Sequence, residues 1–284
     1  MTVRITTLIE NRPGKTDSNL AAEWGLSLHI VFNGHEILFD TGLSGAFAKN
    51  AGHLSVNVAS ICAAVLSHFH YDHGGGIRRF LELNSGAKVY SGEAPNGDCF
   101  AKVFGFLKKY IGLDKALAKD FPDRFETVRE PAEILPDVFL LPHILCSRSK
   151  PAGNKHLFLS RADTLVPDDF AHEIIMAIKE NGKLVVFTGC SHNGILNMVD
   201  TVAAAFKGVP IKAVIGGFHL LAMPPFNFMA GSKREVQELA KAILDYPVEM
   251  TYTGHCTGAN AFGVLKSVMG DRLIDIQTGS SFEV

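Results

Sequence analysis

Four residues able to hold a metal ion crowd into one short stretch of this chain, His68-Phe69-His70-Tyr71-Asp72-His73, which Gly74-Gly75-Gly76 then closes. In extended backbone alternate side chains share a face, so His68 and His70 can offer two imidazoles to one cation, as a nitrogen-rich tetrahedral site needs. Asp72 and His73, past the turn, can face a second cation. The apolar run Ile61 to Leu66 just upstream implies burial. Burying three imidazoles and a carboxylate for packing alone is costly, because each polar ring needs a partner. The pattern therefore points to a metal site rather than to a solvated, histidine-rich loop.

Ile61 to Leu66 reads as the buried strand that delivers this cluster. Before it, Leu26 to Phe32 and Ile37 to Asp40 flank Asn33-Gly34, a hairpin signal because both turn residues tolerate positive φ. Val3 to Ile9 reads as a first strand. Thr41-Gly42 turns the chain into a small helix, Gly76 to Leu83 forms a short helix and Lys88 to Tyr90 another strand. Apolar spacing predicts that Phe100 to Lys119 is mostly helical. Phe125 to Val128, Val138 to Leu141 and Leu157 to Ser160 carry weaker strand patterns. Cys146 to Asn154, with Arg148, Lys150, Pro151 and Gly153, reads as a loop.

The second half repeats the first. Asn181-Gly182 joins strands Glu173 to Ile178 and Leu184 to Phe187. Phe187-Thr188-Gly189 ends that hairpin as Phe39-Asp40-Thr41-Gly42 ends the first, and a helix follows from about Ile195 to Phe206. Ala213-Val214-Ile215-Gly216-Gly217-Phe218-His219 then aligns without gaps on Ala64-Val65-Leu66-Ser67-His68-Phe69-His70, which sets His219 where His70 stands. After a helix at about Lys233 to Leu244, Tyr252-Thr253-Gly254-His255 echoes Tyr90-Ser91-Gly92-Glu93. Two such units packed face to face give two mixed sheets with helices outside, an α/β (α+β) four-layer αββα sandwich whose loops from both halves meet at one edge. No linker-like or low-complexity segment divides residues 1–284, so a single domain is expected.

Composition narrows the partners. With 284 residues and 47% hydrophobic content the chain can bury a large core. Its formal net charge of −2 gives no electrostatic reason to expect nucleic acid or an anionic membrane. Met1 to Glu10 carries Arg4 and Glu10 and lacks the apolar core of a signal peptide, and no uncharged apolar run approaches spanning length. A cytoplasmic protein acting on a small molecule is the expectation; oligomeric state is not readable. The five cysteines, Cys62, Cys99, Cys146, Cys190 and Cys256, show no framework spacing and are read as reduced thiols.

His68-x-His70-x-Asp72-His73 after a buried strand, with Phe39-Asp40-Thr41-Gly42 upstream, resembles the metallo-β-lactamase superfamily of dinuclear metal hydrolases. Glu23-x-Gly25-Leu26-Ser27, Thr188-Gly189-Cys190-Ser191-His192, Gly216-Gly217-Phe218-His219-Leu220 and Thr253-Gly254-His255-Cys256-Thr257-Gly258 resemble one subgroup of it. These are the metal-dependent hydrolases of β-lactamase superfamily II, which include an archaeal ribofuranosylaminobenzene 5'-phosphate synthase of tetrahydromethanopterin synthesis. The resemblance spans nearly the whole chain and implies the αββα fold and a metal centre. It also implies that His255, framed by glycines that allow close backbone approach, is the last metal-binding histidine. Many members place a bridging aspartate where Cys190 stands here; a thiolate there either ligates or sits idle behind His192. The family's mid-chain Pro-Gly-His histidine is absent, and His143, after Pro142, is read as structural.

Other candidates rest on position. His192 stands at a strand end before a helix, where loop residues face the site; it is read as a metal ligand, against a capping or substrate-contacting role. His219 is expected to touch substrate, to support a ligand or to replace the missing one, and is the candidate to protonate a leaving group. Asp40 is expected to fix an imidazole tautomer behind a ligand, or else to hold a metal itself. Asp168, Asp169 and Glu173 read as a solvated acidic run. Glu23, Asn11, Arg148 and Lys150 are candidate pocket residues. Ser191-His192-Asn193, at a helix start whose free N–H groups attract anions, is expected to bind an anionic group with Arg148 and Lys150.

The expected chemistry is hydrolysis of a small, anionic or phosphorylated ester or phosphodiester by a metal-bound hydroxide, with Asp72 orienting the nucleophile. One or two divalent ions are implied, zinc by default, with manganese or iron also suited to mixed nitrogen and carboxylate donors. The alternative is a non-hydrolytic synthase or transferase in pterin-related metabolism.

Overall fold

In the computed structural model, which describes residues 2–14, 19–162, 164–223 and 226–284, two seven-stranded mixed sheets carry the chain. The first runs in the order Ser281–Glu283, Arg4–Ile9, Ser27–Phe32, His35–Phe39, Ala63–Leu66, Lys88–Ser91, Phe125–Thr127. The second runs Ala132–Leu135, Val138–Leu141, Ile175–Glu180, Lys183–Phe187, Ile211–Gly216, Val248–Thr253, Leu273–Asp275. From Arg4–Ile9 and from Val138–Leu141 onward the pairings repeat, antiparallel twice and then parallel three times. The duplication seen in the residue pattern is thus a duplication of topology.

Strands covered on both faces must be apolar on both faces, and these are. Val65 faces the other sheet, whereas Ala64 and Leu66 face the helices Ala46–His53 and Ile77–Leu83. Val185 and Phe187 likewise face inward, with Leu184 and Val186 turned toward the helices Ile195–Ala205, Lys233–Leu244 and Ala259–Met269. Phe39 and Phe187, equivalent in the repeat, meet between the sheets at 6.0 Å between ring centroids. The result is the αββα sandwich. Because Phe39 and Phe187 are the last residues of their strands, the loops after them open at one edge, from both sheets at once. No helix among the described residues is long and apolar enough to cross a membrane.

The expected helix over Phe100 to Lys119 is not there. Asp98–Val103 and Leu107–Tyr110 form an antiparallel hairpin, and only Leu117–Asp120 is helical. Phe104 and Gly105 hold positive φ, 53° and 80°, at the hairpin tip, and Leu157–Arg161 pairs with Asp98–Val103 while Thr164–Pro167 pairs with Leu157–Arg161, so tertiary pairing overrides the apolar spacing. This four-stranded sheet lies over the edge where the loops converge. Cys146 to Asn154 also differs from a plain loop, because a 3₁₀ turn occupies Ala152–His156.

Candidate metal centre

The chain leaves strand Ala63–Leu66, bends at His68 and Phe69 and is extended again at His70 before the single helical turn Tyr71–Gly74. Gly75 lets that turn lie against the loop after Asp40, since a Cβ there would fall 2.1 Å from the Leu43 carbonyl oxygen. Gly189 does the same from the second half, where a Cβ would meet Ser67 Oγ at 2.1 Å. Asp40, Ser191, His219 and His255 adopt left-handed φ of 58°, 57°, 49° and 49°. Such backbone costs about 1–2 kcal/mol per residue, and its clustering here turns the side chains of these loops into one site.

His68, His73, His192 and His255 are at most 2% exposed, His70 is 4% and Asp72 8%. Four of the imidazoles are held from behind through Nδ1. Asp40 Oδ2 accepts from His73 Nδ1 at 2.6 Å and from the Ser67 hydroxyl at 2.7 Å, and Ser67 Oγ in turn accepts from His68 Nδ1 at 2.9 Å. Asn154 Oδ1 accepts from His192 Nδ1 at 3.0 Å, and Asn11 Oδ1 from His255 Nδ1 at 2.9 Å. This polarity leaves the Nε2 lone pair of each ring facing the centre.

Two donor sets result. The Nε2 atoms of His68, His70 and His192 are buried without a hydrogen-bond partner, and their rings stand pairwise 4.6, 4.9 and 4.9 Å apart between centroids. Three converging buried lone pairs are unfavourable unless a cation satisfies them. Next to them, His73 Nε2 and His255 Nε2 are 3.1 Å apart, with Cys190 Sγ 3.1 Å from His73 Nε2 and Asp72 Oδ2 3.4 Å from His255 Nε2. The Trp24 indole N–H donates to Asp72 Oδ2 at 2.8 Å. These residues fit two divalent ions, one on three imidazoles and one on a carboxylate, two imidazoles and a sulfur.

Electrostatics agrees with that fit. Burial and the neighbouring imidazoles hold His68 and His192 far below the usual histidine range, and burial with His172 holds His70 at about 3, so these rings are neutral ligands in waiting. Burial also lowers His73, but Asp40 and Asp72 outweigh it and hold this ring at about 9, so near neutral pH its Nε2 carries a proton that a bound cation must displace. Asp72 resists the upward pull of burial because His255 and His73 favour its ionised form. Burial pushes the Cys190 thiol up, so a thiolate there requires a cation beside it.

Two buried glutamates fasten the late loops. Glu173 accepts from the backbone N–H groups of His192 and Asn193, each at 2.8 Å, and Glu10 accepts from that of His255 at 2.6 Å. This corrects two expectations. Glu173 is not part of a solvated acidic run, and its carboxylate already takes the N–H groups of His192 and Asn193, so these two offer nothing to an outside anion. Asn193 Nδ2 is likewise used, on Phe170 O and Glu173. Arg148 pairs with Asp200 and Tyr246, and Lys150 Nζ donates to Asp169 O; both line a separate cavity with Gly194 and Glu235. Glu23 accepts from the N–H groups of Leu43 and Ser44, shaping the loop after Asp40 rather than facing the centre. His143 donates through Nε2 to Arg129 O, as a structural residue would.

His219 does face the centre, with its ring 4.2 Å from that of His192 and both ring nitrogens without a partner. Cys256 accepts from the His219 N–H at 3.3 Å and lies behind Cys190. The floor opens into a cavity of about 170 Å³ whose walls include Trp24, Tyr71, Lys109, Ile111, His156 and Leu221. Sequence reasoning missed Ser67, Trp24, Asn154 and Glu10. Ser67 adjoins the histidine cluster and Trp24 is the chain's single tryptophan, which were the available signals; Asn154 and Glu10 had none.

The family profile described as Metallo-beta-lactamase superfamily matches residues 26–143. The chain is 31% identical to a 7,8-dihydropterin-6-methyl-4-(β-D-ribofuranosyl)-aminobenzene-5'-phosphate synthase of Methanocaldococcus jannaschii, over 91% of this chain and 89% of that protein. Among solved structures it resembles Tm1679, described as a metal-dependent hydrolase of the beta-lactamase superfamily, with 30% identity, a TM-score of 0.82 and 99% of both chains covered. Zn(2+)-bound PqqB from Methylobacterium extorquens shares the fold at 13% identity, with a TM-score of 0.60 and 99% of this chain and 100% of that one covered.

Proposed function

The chain belongs to the metallo-β-lactamase superfamily, and from the donor set at its cavity floor we propose that it is a metal-dependent hydrolase of a small anionic or phosphorylated ester or phosphodiester. The observation that carries this reading is the convergence of the unpartnered Nε2 atoms of His68, His70 and His192 beside Asp72, His73 and His255. His68, His70 and His192 would hold one divalent ion, zinc by preference; Asp72, His73, His255 and Cys190 would hold a second. When bound, such ions lower the pKa of water and polarise a carbonyl or phosphoryl oxygen.

The protein's own part is positioning and proton handling. Asp40, Ser67, Asn11 and Asn154 fix four ring orientations before substrate arrives. Trp24 holds the Asp72 carboxylate in place, leaving its other oxygen to orient a nucleophile. The His219 ring, free at both nitrogens and beside the floor, is placed to pass a proton to a leaving group. The apolar walls limit water to the reacting end.

Turnover of bis(p-nitrophenyl) phosphate and of p-nitrophenyl acetate by the purified protein tests the reading. A chelator is expected to abolish it and zinc, manganese or iron to restore it. Turnover indifferent to chelator contradicts the proposal. The 31% identity to a pterin-linked synthase supports a second reading, a synthase or transferase in pterin-related metabolism. Formation of a pterin–aminobenzene conjugate from 4-(β-D-ribofuranosyl)aminobenzene 5'-phosphate and a dihydropterin that carries a leaving group on its 6-methyl carbon, with release of that group and of one amine proton and without hydrolysis of either ester probe, would favour that one.

A further inference from the structure

The walls of the cavity differ from its floor. Trp24, Ala101, Val103, Ile111, Leu157 and Leu221 make them largely apolar, and Asp72, already engaged by Trp24 and His255, is the one carboxylate among the described lining residues. Cations stand against this. Lys109 lies in strand Leu107–Tyr110 on the face that Ala101 shares, because the two are register partners. Its Nζ is 3.1 Å from the Tyr71 hydroxyl and 4.8 Å from the centre of that ring. Among the described residues no carboxylate lies within ion-pair distance of Lys109 or of Lys102, the other lysine on these walls; Lys102 Nζ lies 4.5 Å from the centre of the Phe158 ring, and it is Lys109 that stands beside the Tyr71 hydroxyl. His156, at the end of the 3₁₀ turn Ala152–His156, lines the same cavity.

The position of Lys109 is built rather than incidental. The Tyr71 N–H donates to Ile111 O at 2.9 Å and the Ile111 N–H to Cys99 O at 2.9 Å, so the hairpin that carries Lys109 is tied to the helical turn that carries Asp72 and His73. A cation without a counter-ion at the mouth of an apolar cavity attracts an anion from solvent, and a lysine beside a hydroxyl offers donors to each oxygen of a phosphate or carboxylate. Trp24 and Tyr71 on the walls suit a flat aromatic body between that end and the floor.

We propose that Lys109, with the Tyr71 hydroxyl and His156, forms an anion subsite that takes the phosphate or carboxylate of an aryl substrate at the end remote from the histidine floor. This replaces Arg148 and Lys150, which face another cavity, as the source of anion selectivity. It rests on the hydrolase reading only for the fate of the substrate; the binding is independent of it.

Trp24 is the single tryptophan of the chain and lines the cavity, so its fluorescence reports occupancy. In the metal-loaded, full-length protein, phenyl phosphate, benzoate, inorganic phosphate and neutral benzyl alcohol are titrated. Lys109→Ala is expected to weaken phenyl phosphate or benzoate at least about tenfold, the scale of one charge-assisted contact. Benzyl alcohol should stay within about twofold and Lys109→Arg should restore anion binding to within about threefold. Whichever aryl anion depends on Lys109 identifies the anionic group. Equal loss for benzyl alcohol, or phenyl phosphate and benzoate both insensitive to Lys109→Ala, overturns the subsite. If inorganic phosphate binds as tightly as phenyl phosphate and neither responds to Lys109→Ala, the anion goes to the floor and the subsite fails. Lys109-dependent binding in a protein that turns over no ester sustains the subsite and removes the hydrolase reading; turnover without Lys109 dependence does the reverse.

Discussion

Asp72→Ala is expected to lower metal-dependent turnover by at least about a hundredfold, near 2.7 kcal/mol in the barrier, with little loss of fold. Its carboxylate lies 3.4 Å from His255 Nε2 and 4.0 Å from His73 Nε2, within reach of a shared ion, yet it supports no backbone group among the described hydrogen bonds and is 8% exposed. What removal leaves behind is the Trp24 indole N–H and two imidazoles, groups that water from the cavity can reach. Asp72→Asn separates charge from shape, because an amide oxygen still accepts from Trp24 while the negative charge is gone. Both variants should lose activity similarly, and circular dichroism should show both folded. Wild-type-like kcat in either would remove Asp72 from the chemistry.

His192→Ala carries the second large effect, on metal rather than on rate alone. His192 is the one imidazole from the second half in the three-histidine set, and its loss leaves His68 and His70 with two donors where four are wanted. Affinity at that position should fall by more than the roughly 10–100-fold that loss of an outer partner costs. Asn154→Ala supplies the comparison: the ring stays, but its Nδ1 loses the acceptor that sets its tautomer, so a loss of about 10–100-fold is expected there. Competition with a zinc-binding dye measures both. Equal affinities for wild type and His192→Ala would take His192 out of the donor set, and the same comparison applies to His255→Ala.

How much of this was visible in the residues follows from what each feature depends on. The repeat was visible because Asn33-Gly34 and Asn181-Gly182 are local turn chemistry, and because strands covered on both sides must be apolar throughout. The histidine cluster was visible because adjacent ligands share one segment. The hairpin over residues 98–110 was hidden: Phe100, Val103, Phe106 and Leu107 fit a helical spacing, and only pairing with Leu157–Arg161, more than fifty positions away in the chain, decides for strand. The same long-range dependence hid Asn154 and Glu10, which act on His192 and His255 across 38 and 245 positions. It also misdirected the anion site, since nothing near Arg148 in the chain announces Asp200, and nothing near His192 announces that Glu173 folds back onto the N–H groups of His192 and Asn193.

Zinc-edge anomalous diffraction on crystals of the zinc-loaded protein locates each ion relative to these donor atoms. Two peaks are expected at the cavity floor, one within about 2.0–2.1 Å of the Nε2 atoms of His68, His70 and His192, the other bonded to Asp72, His73 and His255, with Cys190 Sγ at about 2.3 Å if its thiolate ligates. A protein that takes up no zinc at this floor, or binds it at other residues while the Nε2 atoms of His68, His70 and His192 stay without a metal, would contradict this metal centre.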